Sequence, residues 1–233
     1  HTITCDPITH LSAKNFARDE RVATIRASGG LAATRMNSPH HEQPCDGLIL
    51  SGGRGTRVGG RDKGLMSING VTGVQQAVDL LRPMCRTLYV SANRNLEQYT
   101  AIRDVTILRD LRSGFPGPLA ALEAAADMPL SPLLLILPND MPGLSAEVPG
   151  RLLARAREGA VDIVYASDGV REQYLCACVR SCCLQGAGDL LDMGEHRVRK
   201  WIATLRSEVL VVEDLEQAGP VNKNRVEDWD LSP

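Results

Sequence analysis

The chain has 233 residues, 43% of them hydrophobic, enough to bury one substantial core, and with aromatics at 3% that core must be filled by Leu, Val, Ile and Ala. Its 26 basic and 28 acidic side chains leave a formal net charge of −2, which gives no global attraction to nucleic acid, so any anion site must be local. No apolar run approaches the roughly 20 residues that span a bilayer, and no signal-peptide core is present. The sequence therefore predicts a cytoplasmic protein that engages neither membrane nor nucleic acid.

Residues 1–44 are polar, hold four of the five histidines and show no sustained period, and are expected to form a flexible extension. Met36 is a candidate natural start, and His40 and His41 are read as loop composition rather than as a metal site. The remainder, 45–233, is expected to be one domain.

Its first element is the apolar run Leu48, Ile49, Leu50, which ends abruptly in Ser51, Gly52, Gly53 and Gly55. Glycines let the backbone turn tightly and bring its N–H groups close to an anion, and Arg54, Arg57 and Lys63 add positive charge just downstream. The combination predicts a loop that cradles phosphates; the bland alternative is a solvated hairpin loop. Neither familiar phosphate motif fits. The residue three beyond Gly55 is Val58, not the glycine of a dinucleotide fingerprint, and Lys63 is followed by Gly64 rather than by the Ser or Thr of a Walker loop.

Further along, Val74, Ala77, Val78 and Leu81 recur at helical spacing, and strands are expected at 87–90 and 105–108. Gly114-Phe115-Pro116-Gly117-Pro118 reads as a stiff turn before an alanine-rich helix over 119–128, followed by a fully buried strand at 133–137. Ser145 can cap a helix that runs to about Glu158, and Val198, Trp201, Ile202 and Leu205 mark another. Strands are expected at 162–166, 175–179 and 209–212. Alternating strands and helices imply an α/β fold, a mostly parallel sheet covered on both faces. Cys176 and Cys178 fall on one face of a strand, which favours buried thiols over a zinc knuckle.

Ligands of such sheets sit beyond the carboxyl ends of the strands. The glycine loop, Asp110 and Asp140 all occupy predicted strand ends. Asp140, in Pro138-Asn139-Asp140-Met141-Pro142, is held on a short restricted backbone that suits a ligand to Mg²⁺ bridging triphosphate oxygens; the alternative is a turn aspartate that bonds its own backbone.

The pattern Gly-Gly-x-Gly-Thr-Arg-x-Gly, with Gly59-Gly60-x-Asp62-Lys63-Gly64-Leu65 after it, resembles the nucleotidyltransferase superfamily and within it the molybdenum cofactor guanylyltransferases. Phe115-Pro116-Gly117-Pro118-Leu119-Ala120, Asp140-x-Pro142 and Asn222-x-Asn224 continue the resemblance in order. It implies a Rossmann-like three-layer fold and transfer of GMP from GTP to the phosphate of molybdopterin, with Mg²⁺ as cofactor. It also implies GTP contacts at Leu50, Ser51, Gly52, Gly53, Lys63, Ser91, Asp110 and Asp140, with Asp140 holding the metal. Arg57, Lys63 and Asp140 are the expected catalytic groups, and Asn222 and Asn224 the expected molybdopterin contacts. Transient contact with molybdenum-insertion proteins and apo-molybdoenzymes follows from the same resemblance. The chain departs from the family pattern at Ser91, where asparagine is usual although Asn93 matches two residues on, at Ala121 for glycine, and at Arg225-Val226 for Thr-Pro. Cytidylyl transfer, nucleotidyl transfer to a sugar phosphate, and a cofactor chaperone without turnover are the alternatives.

Overall fold

The computed structural model describes residues 44–51, 53, 60–114 and 116–212. Residues 1–43, Gly52, Arg57, Phe115, Asn222 and Asn224 lie outside the described residues. In chain order the elements are β1 (Cys45–Leu50), β2 (Ser67–Ile68), β3 (Val71–Thr72), α1 (Gly73–Leu81), β4 (Leu88–Ser91), α2 (Leu96–Thr100) and β5 (Thr106–Leu108). They continue with α3 (Pro118–Ala126), β6 (Leu133–Pro138), α4 (Glu147–Glu158), β7 (Ile163–Ser167), β8 (Glu172–Arg180), α5 (Gln185–Asp192), α6 (Val198–Ile202) and β9 (Ser207–Val211).

Seven strands make one sheet in the order β5-β4-β1-β6-β8-β7-β9. It is mostly parallel: β1 runs with β4 and β6, β4 with β5, and β7 with β9, while β8 alone opposes its neighbours β6 and β7. One face carries α1 and α4 with Tyr99 of α2, packed on Ile49, Val90, Leu135 and Leu137. The other carries α3, α5 and α6 on Leu48, Leu134, Ile136 and Val179. Covering on both faces explains why β6 reads Leu-Leu-Leu-Ile-Leu without alternation, since no side of it meets water. In α1 the buried residues include Val74, Ala77, Val78 and Leu81, the stripe its spacing predicts. Cys176 and Cys178 are both buried on one face of β8. Among the described residues no helix is long and apolar enough to cross a membrane.

The expected strands appear with their ends shifted by up to three residues. The starts of β1 and β8 shift most, and β8 begins at Glu172 because its polar first residues pair with the end of β7 after a register break between Tyr165 and Ala166. Four elements, β2, β3, α2 and α5, are additional to those expected. The β2–β3 hairpin turns on Asn69 and Gly70, both in the left-handed region, which is the usual residue pair for a two-residue loop. Helix α2 is short, and α5 contains Gly186 and Gly188, both poor helix formers. Gly188 is there for packing: a Cβ on it would lie 3.1 Å from the Glu123 carboxylate of α3.

Asp46, 1% exposed, ties the amino ends of three neighbouring strands together. Its carboxylate accepts from the backbone N–H of Thr87 at 3.0 Å and of Ser131 at 2.6 Å, which fixes the starts of β4 and β6 against β1. Asp46→Ala would leave both donors without this acceptor, the Ser131 N–H in the interior and the Thr87 N–H half-buried. At about 1–3 kcal/mol for a buried unsatisfied group, and less for the half-buried one, the variant is expected to lose about 2–4 kcal/mol in denaturant unfolding. An unchanged unfolding midpoint would show that other groups satisfy these N–H donors.

Candidate active site

Because β1, β4, β5 and β6 are parallel, their carboxyl ends share one edge of the sheet, and the hydrogen-bond ladder runs on past them. Ser51 N–H donates to the Ser91 carbonyl at 2.9 Å, Asn139 N–H to the Leu50 carbonyl at 3.2 Å, and Ala92 N–H to the Leu108 carbonyl at 2.9 Å. A side-chain bond then crosses the same edge, with the Asn139 amide donating to Ser51 Oγ at 2.9 Å. Leu50, Ser51, Ser91 and Asn139 are thereby held in one row by backbone geometry.

Asp140 follows Asn139. Its carboxylate lies 3.6 Å from Lys63 Nζ, and the two side chains are 17% and 18% exposed. Burial pushes the Asp140 carboxyl above the ordinary aspartate range, and the Lys63 ammonium opposes that shift without cancelling it. A buried carboxylate left short of positive charge is suited to a hard cation. Among the described residues no group of three or more His, Cys, Asp or Glu side chains could hold a metal alone. A lone buried carboxylate is a donor that a hard divalent cation such as Mg²⁺ can use when other oxygen ligands complete its shell.

Lys63 reaches Asp140 from a short 3₁₀ turn over Lys63–Leu65. The residue before it, Asp62, is 8% exposed and surrounded by donors. Asp62 Oδ1 accepts from Tyr99 OH at 2.8 Å and from Gly64 N–H at 3.2 Å, and Oδ2 accepts from the Asn95 amide at 3.0 Å. Arg94 Nε stands 3.6 Å from Oδ2, while its two terminal nitrogens donate to the carbonyls of Gly60 at 2.6 Å and Arg61 at 2.7 Å. Burial and the neighbouring Asp62 carboxylate raise the Tyr99 phenol, keeping it protonated as a donor.

Asp110, just beyond β5, donates its backbone N–H to Asn93 Oδ1 at 2.9 Å. Burial raises its carboxyl, hydrogen bonding to Asn93 lowers it, and the Glu123 carboxylate raises it again. The segment after it is pinned by Arg112, whose guanidinium forks onto Glu123 at 2.6 Å and Asp192 at 2.7 Å and also reaches the Gly188 carbonyl at 3.3 Å. Gly117, with φ at +96°, supplies the left-handed turn into α3, and Pro118 opens that helix.

The structure thus gathers Leu50, Ser51, Ser91, Asp110, Asp140 and Lys63 along one edge. Gly53 is exposed, with open space where a side chain would point. Ser91 is only 2% exposed, so a ligand would meet it chiefly through its neighbours. Gly52, Arg57, Asn222 and Asn224 lie outside the described residues. The sequence reading did not single out Asn139, Arg94, Asn95 or Tyr99. Asn139 could have been found from its place beside Asp140, but the other three reach the site only through the fold.

The family model described as "MobA-like NTP transferase domain" matches residues 47–209. A molybdenum cofactor guanylyltransferase of Shewanella sp. (strain MR-4) is 33% identical over 173 residues, covering 74% of this chain and 87% of that protein. The protein of the same name from Shewanella amazonensis is 33% identical over 183 residues, covering 78% and 92%. Among solved structures, the molybdopterin-guanine dinucleotide biosynthesis protein A from Archaeoglobus fulgidus superposes with a TM-score of 0.66 at 18% identity, over 78% of this chain and 94% of that one. A nucleotidyl transferase from Methanothermobacter gives 0.62 at 17% identity, over 79% and 94%.

Proposed function

The chain belongs to the MobA-like NTP transferase family, and from that premise we propose that it transfers GMP from GTP to the terminal phosphate of molybdopterin, yielding the guanine dinucleotide cofactor and pyrophosphate. The observation that carries this reading is the Lys63–Asp140 pair at the joined ends of β1 and β6. A binding module that only passed a cofactor on would have no need of a buried carboxylate kept short of charge beside a lysine.

On this reading a phosphate oxygen of molybdopterin attacks the α-phosphorus of GTP, the bond from that phosphorus to the bridging oxygen breaks, and pyrophosphate carries the electron pair away. Lys63, and Arg57 with the loop N–H groups, offset the charge that grows on the leaving pyrophosphate. Asp140 would hold Mg²⁺, which when bound neutralises triphosphate charge. The Ser51–Asn139 bond and the ladder at Leu50 fix the end of β1 against the end of β6, so Ser51 and the segment that carries Asp140 are held in place. Asn222 and Asn224 would take the molybdopterin side, since amides offer donors and an acceptor to the mixed edge of a pterin. The protein would work in the cytoplasm, in transient contact with molybdenum-insertion proteins and apo-molybdoenzymes.

Pyrophosphate release with GTP, CTP, ATP and UTP, each with and without molybdopterin, tests the proposal. Release is expected only with GTP and molybdopterin together, and turnover with CTP would move the protein to the cytidylyl branch. For guanine recognition we assign Asp110, whose carboxylate can accept from N1–H and the exocyclic amine together, a donor pair that cytosine and adenine lack. Asp110→Asn is expected to weaken GTP about tenfold or more in calorimetry while leaving CTP unchanged, because a hydrogen bond to a charged group is lost. Equal losses for both nucleotides would remove Asp110 from the base.

A further inference from the structure

We propose that Asp62 is the positioning residue of Lys63: by gathering Tyr99, Asn95 and Arg94 from the β4–α2 segment onto one buried carboxylate, it sets the direction in which the Lys63 ammonium leaves the backbone. This rests on the reading of Lys63 as the cation that meets the triphosphate, and it adds a second group of residues, far away in sequence, to that function.

The geometry is over-determined around one side chain. Asp62 is nearly removed from water, with its side chain 4% exposed. All its oxygens face inward, to Tyr99 OH at 2.8 Å, the Asn95 amide at 3.0 Å and Gly64 N–H at 3.2 Å. The Gly64 contact closes a turn across Lys63, and the Leu65 N–H donates to the Asp62 carbonyl at 3.1 Å, so the two peptide groups that flank the lysine are both anchored. Arg94 extends the anchor upstream by holding the carbonyls of Gly60 and Arg61, the last two residues before Asp62. A lysine on a free loop has four rotatable side-chain bonds and a mobile backbone besides. Here only the side-chain freedom remains, and Nζ rests 3.6 Å from Asp140.

Tyr99 is well suited to the task. It is fully buried, and its hydroxyl also borders Gly64, where a Cβ would lie 2.5 Å away. Asn95 takes φ +51° at the start of α2, a conformation that asparagine tolerates better than most side chains, and this turns its amide back toward Asp62. Asp62 therefore contacts no reacting atom and acts through its neighbour.

The test is the acylation rate of Lys63 by an amine-reactive reagent, read by mass spectrometry against the exposed Lys200 in the same molecule, in the wild type, Asp62→Asn and Tyr99→Phe. Tyr99→Phe keeps the ring in the core and removes one donor to a charged acceptor, so Lys63 should label about tenfold faster relative to Lys200, and the GTP dissociation constant should rise by a similar factor. Asp62→Asn should move both further. If Asp62→Asn fails to fold, Tyr99→Phe decides. Unchanged Lys63 labelling and GTP affinity in a folded Tyr99→Phe protein would overturn the assignment. The labelling contrast needs no turnover, so a wild type that released no pyrophosphate would count against the proposed activity and not against this role of Asp62.

Discussion

Asp140→Asn is expected to lower turnover by about 10²–10³-fold or more while leaving the protein at least as stable as the wild type at neutral pH. The two halves of this prediction have one cause. Burial raises the Asp140 carboxyl more than the Lys63 ammonium lowers it, so the ionised group is a net cost to the folded chain when no cation is present. A carboxyl whose folded pKa lies above its unfolded value binds more protons in the folded state. It therefore erodes stability as pH rises from the ordinary aspartate range of about 4 through the raised value. Asparagine has the same outline and no charge to bury, so that slope disappears. What it cannot do is hold a divalent cation. Thermal melts across pH, with and without Mg²⁺, separate these effects: the wild type should gain stability from the metal, increasingly as pH rises and Asp140 ionises, and the variant should not. Wild-type turnover by the variant at limiting Mg²⁺ would remove Asp140 from the metal site.

Gly64→Ala is expected to damage both fold and site by adding a single methyl group. The new Cβ would stand 2.5 Å from Asn139 Nδ2, 2.5 Å from Tyr99 OH and 3.0 Å from Ser51 Oγ, each too close for a carbon. These are side-chain ends, which could ordinarily swing aside. Here they are pinned, the Asn139 amide on Ser51 Oγ at 2.9 Å and the Tyr99 hydroxyl on Asp62 at 2.8 Å. Relief of the clash must break one of those bonds or push the 3₁₀ turn outward, carrying Lys63 away from Asp140. Overpacking of this kind costs about 1–3 kcal/mol, and with a buried hydrogen bond lost the total should lie at the upper end of that range. GTP affinity should fall with it. Denaturant midpoints and calorimetry on the same preparation provide the check, and a variant unchanged in both would show that the turn has slack which the close approaches deny.

The sequence by itself determined the architecture of the domain and the strand ends at which its candidate site residues stand. Continuous short apolar runs between turn residues, such as Leu133–Leu137, suit strands covered on both faces, and the 3.6-residue stripe from Val74 to Leu81 suits a helix lying on one of them. Polar residues that follow such runs, as Ser51, Asp110 and Asp140 do, are carried to one edge by the parallel sheet. These are local signals, written in residues that stand close together along the chain. The reversal of β8 was not legible in this way, because an antiparallel strand with both faces covered reads the same as a parallel one. Helix α5 was hidden for another reason: Gly186 and Gly188 weaken its helical signal, and the need for Gly188 comes from Glu123 of α3, distant in sequence. The environment of Lys63 was decided by tertiary structure alone. Nothing in Arg94-Asn95 or in Tyr99 announces a partner at Asp62, since hydrogen bonds across more than thirty residues leave no periodicity behind. They form only when β4 pairs with β1, with α2 following β4 and meeting Asp62.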